Sequence, residues 1–173
     1  METMLHKMKE PRNIAVISIT AALYTALTYM LAPVGFGMIQ FRLSEVLCLL
    51  AFIDPIYGIG ITLGCFFANL ASPFGLPDIA VGTLSTLFSV MLISKSKNLL
   101  IATIWPTVFS IPVAAMITCM SGAESSFLVT AAWLALSEFF VITIIGYPLF
   151  SAVFKNPTIY FLLKFKGKNA TLQ

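Results

Sequence analysis

Within the stretch Gln40-Phe41-Arg42-Leu43-Ser44-Glu45, a guanidinium and a carboxylate stand three residues apart between two long apolar runs. On a helix that begins there, residues at i and i+3 share a face, so Arg42 and Glu45 point the same way. Ionisable groups at the mouth of an apolar segment are costly and by default mark a pathway or a site. The plainer alternative is that the two neutralise each other at a helix end. Glu138 falls well inside another apolar run. Counted from near Phe127, it lies roughly 15 Å along a helix rising 1.5 Å per residue, a depth close to the middle of a bilayer. Asn69 and Asp78 stand where one apolar run ends and the next begins. Together these groups suit recognition of a small polar molecule. Carboxylates accept paired N–H donors, and a guanidinium or amide donates to a carbonyl. The alternatives are helix-end capping for Asn69 and Asp78 and, for Glu138, an ion pair with Arg42.

Other chemistries find no residues. The one histidine, His6, lies in a charged N-terminal stretch, so neither a histidine metal cluster nor a Ser/His/Asp triad can be assembled. Cys48, Cys65 and Cys119 sit singly in apolar runs without ligand-like spacing and read as small core residues. No G-x-x-x-x-G-K-[ST] loop is present, so a transporter built on this chain draws its energy from another subunit or an ion gradient. An aspartate dyad of Asp54 and Asp78 is excluded, because the two fall at opposite ends of the expected bundle. No metal, cofactor or catalytic residue is expected.

The elements that must position these residues are membrane helices. Of 173 residues 59% are hydrophobic and only 10% charged, with a mean hydropathy of +0.97. A soluble domain carries roughly a quarter charged residues. With about 20 residues per span, the chain has room for about six. The predicted fold is an all-α integral membrane protein, one domain over 1–173 forming a bundle of six transmembrane helices. The spans are expected near 13–32, 41–53, 56–71, 78–94, 99–119 and 127–154, followed by a basic tail over 155–173. Pro55 is placed to open a helix after Asp54, Asp78 to cap one, and Pro106 and Pro112 to interrupt the fifth span. Residues 159–163 are apolar enough to lie on a membrane surface.

Lysines set the orientation. Six spans put both termini, the turn at Asp54 and the 95–98 loop on one side, with Lys7, Lys9, Arg12, Lys95, Lys97, Lys155, Lys164, Lys166 and Lys168. Basic residues concentrate on the cytoplasmic side, so both termini are expected there. Arg42 alone falls outside. The net charge of +3 is explained by this placement and is too small to suggest nucleic acid. Glu45, Asn69, Asp78 and Glu138 then share the outer half, where they can line one cavity. The loops 33–40 and 72–77, with Gln40 and Phe74, stand above it and are expected to close over bound ligand.

Two stripes of small residues have four-residue spacing. Gly60, Gly64 and Ala68 read as close helix packing. Ser18, Ala22 and Ala26 suit packing either inside the bundle or against another membrane protein. Tyr24, Trp133 and Trp105 read as packing or interface aromatics, Trp105 beside a kink at Pro106.

The run QFRLSEVL at Gln40–Leu47, with GCFFANLASPFGLPDIAVGT at Gly64–Thr83, resembles the QueT family of queuosine-precursor transporters. Members are substrate-binding S components of energy-coupling factor (ECF) transporters. Ala22-Leu23-Tyr24-Thr25-Ala26 is similar to the AxxxA motif with which S components dock on a transmembrane coupling subunit. Ser137-Glu138 with Gly146-Tyr147-Pro148-Leu149 is similar to the family's glutamate-containing last helix, with serine in place of a smaller residue. The resemblance implies a prokaryotic cell-membrane protein and a 7-deazaguanine ligand, such as 7-aminomethyl-7-deazaguanine or queuine. It also implies that two ATPase subunits drive uptake through the coupling subunit. The alternative from another class is a stand-alone secondary transporter with Glu138 as its coupling carboxylate.

Overall fold

The computed structural model describes residues 10–31, 41–121 and 126–164, and every regular element among them is helical. In chain order these are α1 (Pro11–Met30), a 3₁₀ segment (Leu43–Leu49) running into α2 (Leu50–Ile53), α3 (Pro55–Asn69), α4 (Leu76–Lys95) and α5 (Leu99–Ser121). Then come α6 (Phe127–Glu138), a π-helical segment (Phe139–Gly146), α7 (Tyr147–Lys155) and α8 (Pro157–Leu163).

Four helices are long and apolar enough to cross a membrane: Pro11–Met30, Leu76–Lys95, Leu99–Ser121 and Phe127–Lys155. Between 28% and 44% of their apolar windows is buried inside the bundle, so the larger part of each faces outward. Met30, Leu76 and Leu128 are three-quarters or more exposed. That apolar surface suits lipid and not water.

Two apolar helices are shorter, Leu43–Ile53 and Pro55–Asn69. The first reaches only about 20 Å, at roughly 2 Å per 3₁₀ residue and 1.5 Å per α residue. The stretch expected as an ordinary span over 41–53 is therefore mostly 3₁₀. It touches α1, α3, α4, α5 and the π segment, so it is the hub of the bundle. Its Glu45, Cys48 and Leu49 are buried.

Helix ends follow local chemistry. The helix α3 opens at Pro55, as the sequence predicts, and Asp54 caps it by accepting from the Ile56 amide at 3.0 Å. Asp78 does not cap α4, because the helix starts two residues earlier behind Gly75. Gly75 has φ +64°, a conformation that favours glycine. Its amide donates to Ser72 O at 3.2 Å. Pro106 and Pro112 do not interrupt α5, which runs through both. Trp105 Nε1 donates to Ser96 Oγ at 3.0 Å, tying α5 to the end of α4. Cys119, expected in the core, is exposed.

α1 and α3 run parallel and very close. A Cβ built on Gly60 would lie 2.7 Å from Ile17 O, and one on Gly64 2.8 Å from Ala21 O. Thr25 Oγ1 donates to Gly64 O at 3.0 Å and Tyr29 to Phe67 O at 2.8 Å. Gly60, Gly64 and Ala68 are thus the buried stripe, whereas Ser18, Ala22 and Ala26 face outward. α3 and α4 run antiparallel, with Thr86 Oγ1 donating to Cys65 Sγ at 3.2 Å. Beyond α7, α8 is capped by Asn156 Oδ1 and held by Tyr57, whose hydroxyl donates to Leu163 O at 2.9 Å.

Candidate functional site

Arg42 is extended (φ −103°, ψ 93°) and its carbonyl accepts the Glu45 amide at 3.1 Å, which starts the 3₁₀ segment. Arg42 precedes that segment and Glu45 lies in its first turn, and both border one cavity. Both are buried, at 6% and 5% exposure. The guanidinium Nη2 stands 3.6 Å from Asp78 Oδ2 on α4. The Glu45 carboxylate accepts from the Tyr24 hydroxyl through Oε1, and from Cys48 Sγ at 3.0 Å through Oε2. Tyr24 is thus no mere packing aromatic.

These two residues border a narrow cavity of about 30 Å³. The hub supplies one wall. α4 supplies a second, in which Gly82, Ser85, Thr86 and Ser89 follow one helical face. α5 supplies a third through Pro106, Phe109, Ser110 and Val113, again at helical spacing. Leu134 and Glu138, one turn apart on α6, close it. Phe109 is fixed by a stacked contact with Phe88, centroids 5.9 Å apart and planes at 19°. One side of the cavity is thus rich in hydroxyls and another is aromatic.

Glu138 ends α6 where the winding changes to π. Its Oε2 is shut away from solvent and has no hydrogen-bond partner among the described residues. Behind the α4 wall stand Asn69 and Asp78, both fully buried. Asn69 Nδ2 donates to the Asp78 carbonyl at 3.2 Å and to Cys65 Sγ at 3.5 Å, so it ties α3 to α4 and does not cap a helix end. A Cβ built on Gly82 would lie 2.6 Å from Asn69 Nδ2 and 3.2 Å from Asp78 Oδ1. Gly82 is therefore the thin place in the wall between these two side chains and the cavity. Among the described residues Asp78 Oδ1 and Oδ2 and Asn69 Oδ1 have no hydrogen-bond partner. Buried acceptors in this state are uncommon, and the Arg42 guanidinium at 3.6 Å is the charge that faces Asp78.

Arg42, Glu45 and Glu138 therefore meet at one cavity, with Asp78 and Asn69 one layer behind. Phe74 lies in the 72–75 turn, half-buried against a cluster that includes Val113 and Leu134 of the cavity lining. Gln40 lies outside the described residues. Ala22 and Ala26 are elsewhere, in an exposed groove of α1 and α3 that Leu63 and Phe67 also line. Sequence reasoning missed Tyr24, Cys48 and the hydroxyl face of α4. Ser85 and Ser89, one turn apart in an apolar helix, carried a readable signal; Tyr24 carried none. Among the described residues no group of three His, Cys, Asp or Glu is placed to hold a metal ion.

A family model described as QueT transporter matches residues 14–155. A protein named Queuosine precursor transporter QueT, from Lactococcus lactis subsp. cremoris (strain MG1363), is 40% identical to this chain over 98 residues. That alignment covers 53% of this chain and 57% of the relative, so the chain spans little more than half the length of that protein. No solved structure matches.

Proposed function

Because this chain belongs to the QueT transporter family, we propose that it is the substrate-binding S component of an ECF-type importer for a queuosine precursor, a 7-deazaguanine. It is a multi-pass membrane protein of a transporter family, not an enzyme class. The observation that carries the ligand reading is the cavity itself. It has an arginine, an anchored carboxylate and a second carboxylate with an oxygen that has no hydrogen-bond partner among the described residues, set between hydroxyls and an aromatic ring. A guanine-like edge offers adjacent N–H donors to a carboxylate, and Glu138 is the group with acceptor capacity unused. The ring carbonyl suits Arg42. Asp78 offsets the guanidinium at 3.6 Å, which leaves Glu45 and Glu138 to favour a ligand with a cationic arm, such as an aminomethyl group. Buried polar groups of this kind reject analogues lacking the matching hydrogen bond.

Six spans with cytoplasmic termini fit the placement of Arg12, Lys95, Lys97, Lys155 and Lys164 at helix ends, apart from Arg42. The cavity then opens outward. The exposed Ala22/Ala26 groove is the face for the coupling subunit, through which two ATPase subunits act. Calorimetric binding of 7-aminomethyl-7-deazaguanine to the purified chain tests the ligand. Uptake with and without the ATPase subunits tests the coupling, and uptake that persists without them favours the stand-alone carrier with Glu138 as coupling carboxylate.

Two outcomes follow. Ala22→Leu or Ala26→Leu fills the groove and is expected to abolish co-purification with the coupling subunit while ligand affinity stays within about twofold. Normal complex recovery from both variants removes the groove from the interface. Phe74→Cys is expected to react more slowly with a soluble thiol reagent once ligand is added, because the 72–75 turn closes over the cavity. Equal labelling at saturating ligand means a pocket that stays open.

A further inference from the structure

α1 presents two faces that do different things. Ser18, Ala22 and Ala26 look outward, whereas Tyr24 and Thr28 are enclosed, at 0% and 2% exposure. The enclosed face is bonded to the hub at two successive residues. Tyr24 donates to Glu45 Oε1, and Thr28 Oγ1 shares a 2.8 Å hydrogen bond with Ser44 Oγ. Cys48 Sγ donates to the other Glu45 oxygen from within the hub. A carboxylate has about four lone-pair positions. The phenol and the thiol occupy one on each oxygen, fix the rotamer, and leave acceptor capacity toward the cavity that Glu45 lines. Tyr24 itself does not line that cavity.

We propose that Tyr24 is a positioning residue for ligand recognition. Its hydroxyl holds the Glu45 carboxylate in its binding orientation, and Tyr24 acts through Glu45 without touching ligand. The proposal rests on reading the cavity as the ligand site. A hydrogen bond to an ionised acceptor is about twice as strong as a neutral one, and a side chain ordered beforehand loses less entropy when ligand arrives. Without the phenol, Glu45 keeps only the thiol, a weak donor, among the described residues, and must be ordered by the ligand itself. The competing role is plain packing, since the Tyr24 ring belongs to the large apolar cluster of the bundle. The two roles differ in what removing one oxygen does.

The test is a double-mutant cycle on the full chain in detergent, with 7-aminomethyl-7-deazaguanine as the probe. Affinity is read by calorimetry and ligand-free stability by thermal melting. Tyr24→Phe keeps the ring and is expected to weaken binding about five- to tenfold. In a Glu45→Gln background the same change is expected to cost less than about twofold, because neighbours in one network are not additive. An unchanged affinity in Tyr24→Phe, or an equal loss in both backgrounds, overturns the proposal and leaves Tyr24 as packing. Failure of the wild-type chain to bind the probe counts against the ligand assignment. The hold on Glu45 is then judged from the melting cycle alone: non-additive melting shifts support it, and additive shifts overturn it.

Discussion

Glu138→Gln is expected to weaken binding of a 7-deazaguanine about ten- to hundredfold while leaving the ligand-free protein as stable as before. The affinity loss follows from replacing a charge-assisted acceptor by an amide that offers half the acceptor capacity and adds a donor. Hydrogen bonds to charged groups contribute about 1.5–3 kcal/mol. Stability holds because Glu138 Oε2 has no hydrogen-bond partner to lose among the described residues, and a neutral amide of the same shape is cheaper to bury than a carboxylate. Glu45→Gln should behave differently, since both of its oxygens accept from neighbouring side chains. It is expected to lose affinity and stability together. Calorimetry and thermal melting of the two variants separate the cases. Full affinity in Glu138→Gln, with a destabilisation of about 3–5 kcal/mol, is the signature of a broken buried ion pair and removes Glu138 from the ligand site.

The second large effect is expected at the α1–α3 contact. A Cβ on Gly64 would stand 2.8 Å from both Ala21 O and Tyr24 Cβ, and 3.2 Å from Ala21 Cα. These are backbone or near-backbone atoms, so Gly64→Ala can be accommodated only by moving α1. Overpacking of this kind costs about 1–3 kcal/mol. The displacement also takes Tyr24 away from Glu45, so a loss of affinity should accompany the loss of stability. Gly58 provides the control on the same helix. Its Cβ would meet Val90 Cγ2 at 3.2 Å and Val90 Cβ at 3.3 Å, a side chain that can give by a few tenths of an ångström. Gly58→Ala should therefore cost less than about 1 kcal/mol. If Gly64→Ala melts no lower than Gly58→Ala, the close packing of α1 on α3 is not holding the bundle.

The long helices were legible because 18 or more residues of high mean hydropathy with few charges admit few other structures, and the helix ends lie within about two residues of the expected span ends. The 41–53 stretch was not legible as 3₁₀. Its composition is that of any apolar helix, and only its place at the hub, touching five other elements, shows what the tighter winding serves. The prolines of α5 misled because a missing N–H breaks a helix in water, whereas neighbouring helices and serine or threonine side chains re-satisfy the freed backbone in a membrane. Asp78 looked like a cap because caps and buried anions draw on the same residue types, and only the Arg42 contact tells them apart.

The site was half legible for one physical reason. A charge inside an apolar run stands out, so Arg42, Glu45 and Glu138 could be found from sequence. A tyrosine does not, because when lipid and core are both apolar the inner and outer faces of α1 share one hydropathy. Which face holds Tyr24 was settled by Gly60 and Gly64, residues of a different helix.

Beside Glu138 the winding itself bears on how relatives are to be aligned. From Phe139 to Gly146 the turns are π, closed by i→i+5 hydrogen bonds, and at their end Gly146 meets Leu49 and Val46 of the hub. An α-helix turns about 100° per residue, and a π-helix turns less. The same residues rewound as α would carry Gly146 off the hub and bring a side chain there instead. One residue fewer between Glu138 and Gly146 compensates for that extra rotation, so length and winding are interchangeable in this stretch. A single-residue alignment gap here is then a record of helix pitch, not of a lost loop. Relatives that carry the gap are expected to place both residues from a plain α-helix, with a narrower wall next to the glutamate.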